Sequence, residues 1–390
     1  MGPRGIAVLG STGSIGKTTL AVIDRFRPRF RVVALTAHRN FEELMAQAAS
    51  HGAELVALAD GDASAAATPA GTRLARGMEG VLEAATHPDV EIVVNGLVGA
   101  AGLEPTLAAL KAGKRVALAN KESLVVGGPL AMRALEEGGG ELVPVDSEHS
   151  AVFQCLRGAE PGSLRRIILT ASGGPFRDRN PLDLRNVTPA EALRHPTWSM
   201  GNKITVDSAT LVNKALEVIE AHFLFGLPYE RVDVVIHPQS VVHSLVEFRD
   251  GSVLAQLGEP DMALPVLYAL TCPERLAFAG PTLDLAQVGT LTFEPVPAGR
   301  FPAFEAGREA ALLGGTAPAV FNAASEEAVE AFLAERLLFT GIPEVIQAVL
   351  KQHRVEEVAD LETVKRADAW ARRTARASVK RIVEGTRLTR

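Results

Sequence analysis

The run Leu142-Val143-Pro144-Val145-Asp146-Ser147-Glu148-His149 carries an apolar strand straight into two carboxylates and a histidine. Asp146 and Glu148 stand two residues apart, so on a continuing strand both project from one face. Carboxylates so placed repel, and the pair persists when a cation lies between them or when they share a proton. A solvated strand end is the plain alternative, and the rest of the chain has to decide. A third carboxylate lies in Asp207-Ser208-Ala209-Thr210-Leu211-Val212-Asn213-Lys214-Ala215-Leu216-Glu217, where a helix is predicted to start at Asp207. Asn213 and Glu217 stand at i and i+4, and Lys214 and Glu217 at i and i+3, so one face holds all three. Leu211, Ala215, Val218 and Ile219 already supply an apolar stripe. That leaves Ser208, Asn213 and Lys214 as donors for a phosphate and Glu217 to complete a carboxylate cluster with Asp146 and Glu148.

Two loops carry further anion-binding chemistry. Ala171-Ser172-Gly173-Gly174-Pro175-Phe176 follows a short strand over Arg166 to Thr170, and its small residues can present N–H and O–H donors. The stretch His195-Pro196-Thr197-Trp198-Ser199-Met200-Gly201-Asn202-Lys203 has no regular period and holds one of only two tryptophans. It reads either as a loop tucked into a core or as a lid whose Trp198 covers a ligand. Asn95-Gly96 and Asn120-Lys121-Glu122-Ser123 stand at strand ends, and His237 and His243 are core or site residues with no spacing to choose between the two.

The elements that must position these groups begin with a strand over Gly5 to Leu9, the turn Gly10-Ser11-Thr12-Gly13-Ser14-Ile15-Gly16, and an amphipathic helix to about Phe26. Free backbone N–H groups at that helix start favour a pyrophosphate. Further strands are predicted at Arg31 to Thr36, Glu54 to Ala59, Glu91 to Asn95, Arg115 to Ala119 and Glu141 to Val145, separated by helical patterns. Such alternation is the mark of an α/β fold with a doubly wound parallel sheet, which binds ligands at the carboxyl ends of its strands. After the second strand an NAD site would place an acid, yet the residues are Ala37-His38-Arg39-Asn40. A basic residue there suits a 2′-phosphate, so NADP is preferred. Val232 to Ile236, Val241 to Phe248 and Ser252 to Leu257 read as strands, the last two joined by an Asp250-Gly251 hairpin. The Pro-rich stretch from Thr271 to Pro302 reads as a linker, and helices over Phe304 to Leu313, Ala317 to Arg336, Ile342 to His353 and Leu361 to Ile382 form a small bundle.

Composition narrows the function. The chain has 390 residues, 47% hydrophobic and 22% charged, enough for two or three domains with sizeable cores. A net charge of −6 gives no global attraction to nucleic acid or an anionic membrane. Cys155 and Cys272 are the only cysteines, which excludes a disulfide scaffold, and no CxxC or Cys/His spacing suits a zinc–thiolate site. Ile6-Ala7-Val8-Leu9 is too short for a signal peptide and no window has the apolar length of a membrane span, so a cytoplasmic protein is expected. An NADP-dependent semialdehyde dehydrogenase would need a catalytic cysteine in a suitable motif, and a non-catalytic NADP sensor would have no use for three carboxylates and a phosphate pocket.

With Gly10 to Gly16, Leu118-Ala-Asn-Lys-Glu-Ser123, Pro144-Val-Asp-Ser-Glu-His149, Ser172 to Phe176, His195 to Gly201, Val206 to Glu217 and His237-Pro-Gln-Ser240 in order, the chain closely resembles the 1-deoxy-D-xylulose 5-phosphate reductoisomerase family over its whole length. The resemblance implies a homodimer whose subunit has a Rossmann-like NADPH domain (residues 1–147), a central α+β catalytic domain (148–272), a linker (273–302) and a C-terminal helical domain (303–390). It implies isomerisation of the ketose phosphate and reduction of the aldehyde to 2-C-methyl-D-erythritol 4-phosphate, on the non-mevalonate isoprenoid route. Asp146, Glu148 and Glu217 would be the metal ligands, an all-oxygen set suited to Mg²⁺ or Mn²⁺, with Co²⁺ a further candidate. Ser172, Ser208, Asn213 and Lys214 would hold the phosphate, and Lys121, Ser147, Glu148, His195, Trp198 and Glu217 the rest of the substrate. Lys121, Glu148 and His195 are the catalytic candidates. Thr12, Gly13, Ser14, Ile15, Ala37, Arg39, Asn40, Asn120 and Glu122 would contact NADPH, with Met200 and Gly201 under its nicotinamide. The chain departs from the family at His38-Arg39, where glycine and lysine are common, and at Ala171, where glycine is.

Overall fold

The computed structural model describes residues 2–61, 68–198 and 200–388, with side chains up to residue 385. Ser199 of the expected lid, and most of the Ala-rich stretch after Asp60, lie outside the described residues. The chain divides into two compact units, one of Met1–Ser123, Pro129–Phe153 and Asp261–Pro281, the other of Leu124–Gly128, Gln154–Pro260 and Thr282–Arg390.

The first unit is built on seven strands: β1 (Arg4–Leu9), β2 (Phe30–Ala37), β3 (Leu55–Leu58), β4 (Arg73–Arg76), β5 (Ile92–Asn95), β6 (Arg115–Leu118) and β7 (Glu141–Pro144). They pair in parallel in the order β4-β3-β2-β1-β5-β6-β7. β2, β3 and β5 are buried almost throughout, as strands covered on both faces must be. β4 was not expected: its Arg-Leu-Ala-Arg has exposed ends and no apolar run, the character of an edge strand. Strand order reverses between β1 and β5, which opens a crevice at their carboxyl ends.

The helix Ala263–Thr271 also belongs to this unit. Its Val266, Leu267, Tyr268, Ala269 and Leu270 join the same apolar core as Ile6, Val8 and Leu35. Arg4 Nη1 donates to the carbonyl of Leu270 at 3.3 Å and Arg115 Nη1 to that of Ala269 at 3.5 Å. The boundaries expected at 147 and 272 therefore differ from the compact division. A nearly all-apolar helix has no period to place it, and only its long-range partners do.

The second unit carries β8 (Leu164–Ala171), β9 (Val232–Ile236), β10 (Val242–Phe248), β11 (Val253–Leu257) and the short β12 (Glu294–Pro295), in the order β11-β10-β8-β9-β12. Only β8 and β9 run parallel. The expected hairpin is present, with Gly251 at φ +88°. The helix expected from Asp207 is instead two, Asn202–Ala209 and Val212–Phe225, broken at Leu211, whose φ is +56°. Ser208 thus lies on one helix, and Asn213, Lys214 and Glu217 on the next.

Four helices complete this unit: Pro302–Leu313, Ala317–Leu333, Gly341–Leu350 and Leu361–Leu388. They share its core. At Gly307 an added Cβ would stand 2.5 Å from Ala215 Cβ and 2.7 Å from Phe321 Cζ, so Pro302–Leu313 lies directly on the helix that carries Lys214 and Glu217. This contact explains why the C-terminal helices, expected as a separate domain, fall in one unit with the central sheet. The C-terminal helix is tied to the helix Ala317–Leu333 by Arg372, whose guanidinium meets Glu326 at 2.6 Å, and by Arg376, which meets Glu327 at 2.7 Å.

Candidate active site

In the first unit the glycine-rich turn is shaped by close backbone approach. Gly10 has φ +78°, and a Cβ there would meet the Gly96 carbonyl at 2.9 Å. At Gly16 a Cβ would lie 2.4 Å from the Gly10 carbonyl. The turn is therefore pinned between β1 and β5, and Gly13 caps the helix Ser14–Arg25 with its first N–H groups open. Ser11 Oγ is buried and has no hydrogen-bond partner among the described residues. A cradle with that orphaned hydroxyl fits an anionic nucleotide.

Beyond β2, Arg39 donates from Nε to Asp60 Oδ2 at 2.8 Å, and His38 Nε2 lies 3.8 Å from the same oxygen. The Arg39 hydrogen bond holds the Asp60 carboxyl below its ordinary range. An acid is thus present after all, but from the end of β3, where it engages Arg39. Ala37 closes β2, fully buried, and Asn40 caps the helix Phe41–His51 by accepting from the Glu43 N–H at 3.3 Å. Asn120 is committed to bracing the neighbouring loop: its Nδ2 donates to the carbonyls of Leu97 (2.9 Å) and Gly99 (3.0 Å), and to Glu122 Oε2 (3.1 Å).

At the carboxyl end of β6, the buried Lys121 ammonium pairs with Asp146 Oδ2. Asp146 and Glu148 do not share a strand face as expected. β7 ends at Pro144, and the Asp146 carbonyl accepts from the Ser150 N–H at 2.7 Å, which starts the helix Ser147–Cys155. Asp, Ser and Glu are favoured at a helix start, where carboxylates meet the positive end of the dipole. Ser147 Oγ donates to Glu148 Oε2 at 2.5 Å. His149, fully buried, has Nδ1 3.8 Å from Asp146 Oδ2.

In the second unit one imidazole gathers two serines. His195 Nε2 lies 3.1 Å from Ser172 Oγ and 3.1 Å from Ser208 Oγ. Its Nδ1 accepts from the backbone N–H groups of Thr197 (3.2 Å) and Trp198 (2.9 Å), so the proton of the neutral ring resides on Nε2. Burial pushes its pKa below the ordinary 6.5. The unfolded chain then takes up a proton that the folded site refuses, so this residue costs no stability above about 6.5 and a growing amount as pH falls from there to the folded midpoint. An NMR titration should place the ring's midpoint below 6.5, and a midpoint at or above it would contradict this geometry.

Ser172 lies on a loop with two successive left-handed glycines, Gly173 (φ +82°) and Gly174 (φ +71°), and the Gly174 N–H donates to Ser172 Oγ at 3.2 Å. On the helix Val212–Phe225, Asn213 donates to one oxygen of Glu217 and Lys214 to the other. Glu217 is fully buried and Lys214 nearly so. The Trp198 ring is tilted over His243 with centroids 6.2 Å apart, and Met200 and Gly201 lead into the helix Asn202–Ala209. His237 is structural: Nδ1 donates to the Thr292 carbonyl at 2.8 Å, and Nε2 accepts from the N–H groups of Val241 and Val242. The ion pair of Lys203 with the buried Asp207, at 2.6 Å, was not singled out, although its i, i+4 spacing was readable.

A parallel sheet with an anion cradle at its switch point, and a second unit whose serines, imidazole and buried lysine suit a phosphate, define a dinucleotide-dependent oxidoreductase of a small phosphorylated molecule. Family models agree: 1-deoxy-D-xylulose 5-phosphate reductoisomerase matches residues 6–128, its C-terminal domain 142–225, and a second C-terminal domain model 257–374. The chain belongs to the 1-deoxy-D-xylulose 5-phosphate reductoisomerase family. It is 54% identical over 381 residues to the reductoisomerase of Symbiobacterium thermophilum, covering 96% of this chain and 98% of that one. The relative from Thermosynechococcus vestitus is 50% identical over 388 residues, covering 97% and 94%. Among solved structures, the Zymomonas mobilis reductoisomerase in complex with NADPH has a TM-score of 0.90 at 42% identity, covering 97% of this chain and 99% of that one. A DOX-P reductoisomerase in complex with NADPH, fosmidomycin and magnesium also has a TM-score of 0.90, at 41% identity and coverage of 97% and 98%. The family resemblance and the fold class read from the sequence are borne out.

Proposed function

We infer that this protein isomerises 1-deoxy-D-xylulose 5-phosphate and reduces the product to 2-C-methyl-D-erythritol 4-phosphate, with NADPH and a divalent cation, in isoprenoid biosynthesis. Family membership over nearly the whole chain carries this reading. Its test is the ketose phosphate with NADPH and Mg²⁺: the product identified by mass should be 2-C-methyl-D-erythritol 4-phosphate, formed mole for mole with NADPH consumed. NADPH consumption without that product would refute it.

Asp146, Glu148 and Glu217 would hold the cation. What supports this is the donor set, three carboxylates offering only oxygen, which suits a hard divalent cation. When bound, the cation polarises neighbouring hydroxyl and carbonyl oxygens and NADPH supplies hydride. The chain's own residues do the rest. Ser172, Ser208, Asn213 and Lys214 grip the phosphate and so fix the reacting carbons. Lys121 Nζ holds a proton beside Asp146, Glu148 accepts a hydrogen bond from the Ser147 hydroxyl, and His195 presents its Nε2–H to the same pocket as the two serines. Trp198 excludes water from the bound substrate.

For NADPH, Thr12, Gly13, Ser14 and Ile15 form the pyrophosphate turn, Ala37, Asn40, Asn120 and Glu122 line the crevice, and Met200 and Gly201 approach the nicotinamide. Arg39 receives the 2′-phosphate by exchanging its Asp60 partner for it. The side chain is 71% exposed, so the gain is a modest charge-assisted one. Arg39→Ala should raise the KM for NADPH about tenfold and leave the KM for NADH unchanged; equal effects on both cofactors would remove Arg39 from this role.

The homodimer finds support in β11, which among the described residues pairs only with β10 and leaves Val253 47% and Leu254 50% exposed on a sheet edge. A cytoplasmic setting is consistent with Cys155 and Cys272 forming no disulfide. Among the described residues no helix is long and apolar enough to cross a membrane.

A further inference from the structure

We propose that Arg300 is a positioning residue for the substrate phosphate: it holds in place the loop that carries Ser172. The inference rests on the reading of Ser172 as a phosphate contact. After β8 the chain runs through Ser172 and the two left-handed glycines into a turn closed by the Arg179 N–H on the Phe176 carbonyl at 3.1 Å. The carbonyls of this turn point inward, towards one guanidinium nitrogen. Arg300 Nη2 donates to Phe176 O at 2.7 Å and Arg177 O at 3.2 Å, and also to Arg179 O. Among the described residues Arg300 pairs with no carboxylate, so these carbonyls are where its charge is spent.

Packing seats the near half of the loop on a neighbouring helix. A Cβ on Gly174 would stand 2.8 Å from the Ser208 carbonyl, so the first residues are seated directly on the helix Asn202–Ala209. The far half borders a cavity of about 280 Å³ lined by Phe176, Phe301, Phe339 and Thr210 among others. Phe176 is buried there and packs edge to face on Phe339 with centroids 5.3 Å apart, and Arg179 pairs with Glu191 at 2.9 Å; those contacts hold side chains, whereas the carbonyls of the turn still need a donor. Arg300 supplies one from a rigid base: it stands two residues before the helix Pro302–Leu313, whose Gly307 rests on Ala215 in the Lys214–Glu217 helix. Ser172 and Lys214, on separate segments, are thereby referred to one frame. A shift of about 1 Å in a positioning loop is enough to cost up to a hundredfold in rate or binding.

The test is steady-state kinetics of Arg300→Ala, Arg300→Lys and Ser172→Ala in the full-length enzyme. Arg300→Ala should raise the KM for 1-deoxy-D-xylulose 5-phosphate about tenfold, with the KM for NADPH within twofold of wild type. Arg300→Lys, which keeps the charge and three N–H donors, should recover part of the loss. A merely structural role would instead lower the active fraction and leave KM alone. Should Arg300→Ala fail to fold, Arg300→Gln takes its place, with a larger rise in KM than Arg300→Lys supporting the inference and a wild-type KM overturning it. A wild-type substrate KM in Arg300→Ala, or equal rises for both substrates, overturns it while a raised KM in Ser172→Ala leaves the phosphate reading standing. A wild-type KM in Ser172→Ala overturns that reading and this inference with it.

Discussion

Glu217→Gln is expected to lower kcat a hundredfold or more while NADPH binds as in the wild type. The carboxylate is fully buried, with Asn213 donating to one oxygen and Lys214 to the other. Glutamine keeps the shape and loses the charge, and wherever its NH₂ is turned it faces an N–H donor. A bound cation contributes several kcal/mol of transition-state charge stabilisation, so losing it with this oxygen removes two decades of turnover or more, at about 1.4 kcal/mol per decade. The nucleotide cradle lies on β1 and β5 of the other unit, so the NADPH dissociation constant, read by quenching of nucleotide fluorescence, should stay within a factor of a few. Wild-type turnover would remove Glu217 from the site. Lost turnover together with lost NADPH binding would point to misfolding instead.

Lys214→Ala separates binding from chemistry. A lysine that grips a phosphate remote from the reacting carbons contributes to the ground state and the transition state alike, so its loss falls mainly on KM. A charge-assisted contact of roughly 1.5–3 kcal/mol predicts a rise in KM for the ketose phosphate of about ten- to a hundredfold. Because the same ammonium neutralises Glu217, kcat should fall too, by a smaller factor. Unchanged KM and kcat would refute the role. A large loss of kcat with normal KM would assign Lys214 to the carboxylate alone.

The parts of this molecule that local pattern announces were legible. The glycines at positions 10, 13 and 16, the apolar strands and the i, i+3, i+4 grouping of Asn213, Lys214 and Glu217 all express constraints that act within a few residues. The turn at Asp146 was misread because strand geometry was carried past Pro144 as far as Glu148, although Asp-Ser-Glu is also a helix-start sequence. The break at Leu211 had no warning, since a leucine in left-handed conformation is held there by its surroundings and not by its own preference. Long-range pairings were invisible for a simpler reason. Asp60 finds Arg39 from the next strand, Ala263–Thr271 joins a core assembled from the first hundred and fifty residues, and Arg300 reaches a turn 121 to 124 residues upstream. No window of sequence contains both partners.

The central claim is that carboxylates of this chain hold a divalent cation on which NADPH oxidation depends. It is tested most directly by assaying the ketose phosphate with NADPH after exhaustive dialysis against EDTA, then adding back Mg²⁺ or Mn²⁺. The account predicts no turnover in the metal-free enzyme and full recovery on addition, with no recovery in Glu217→Gln. Undiminished NADPH oxidation after dialysis would contradict it.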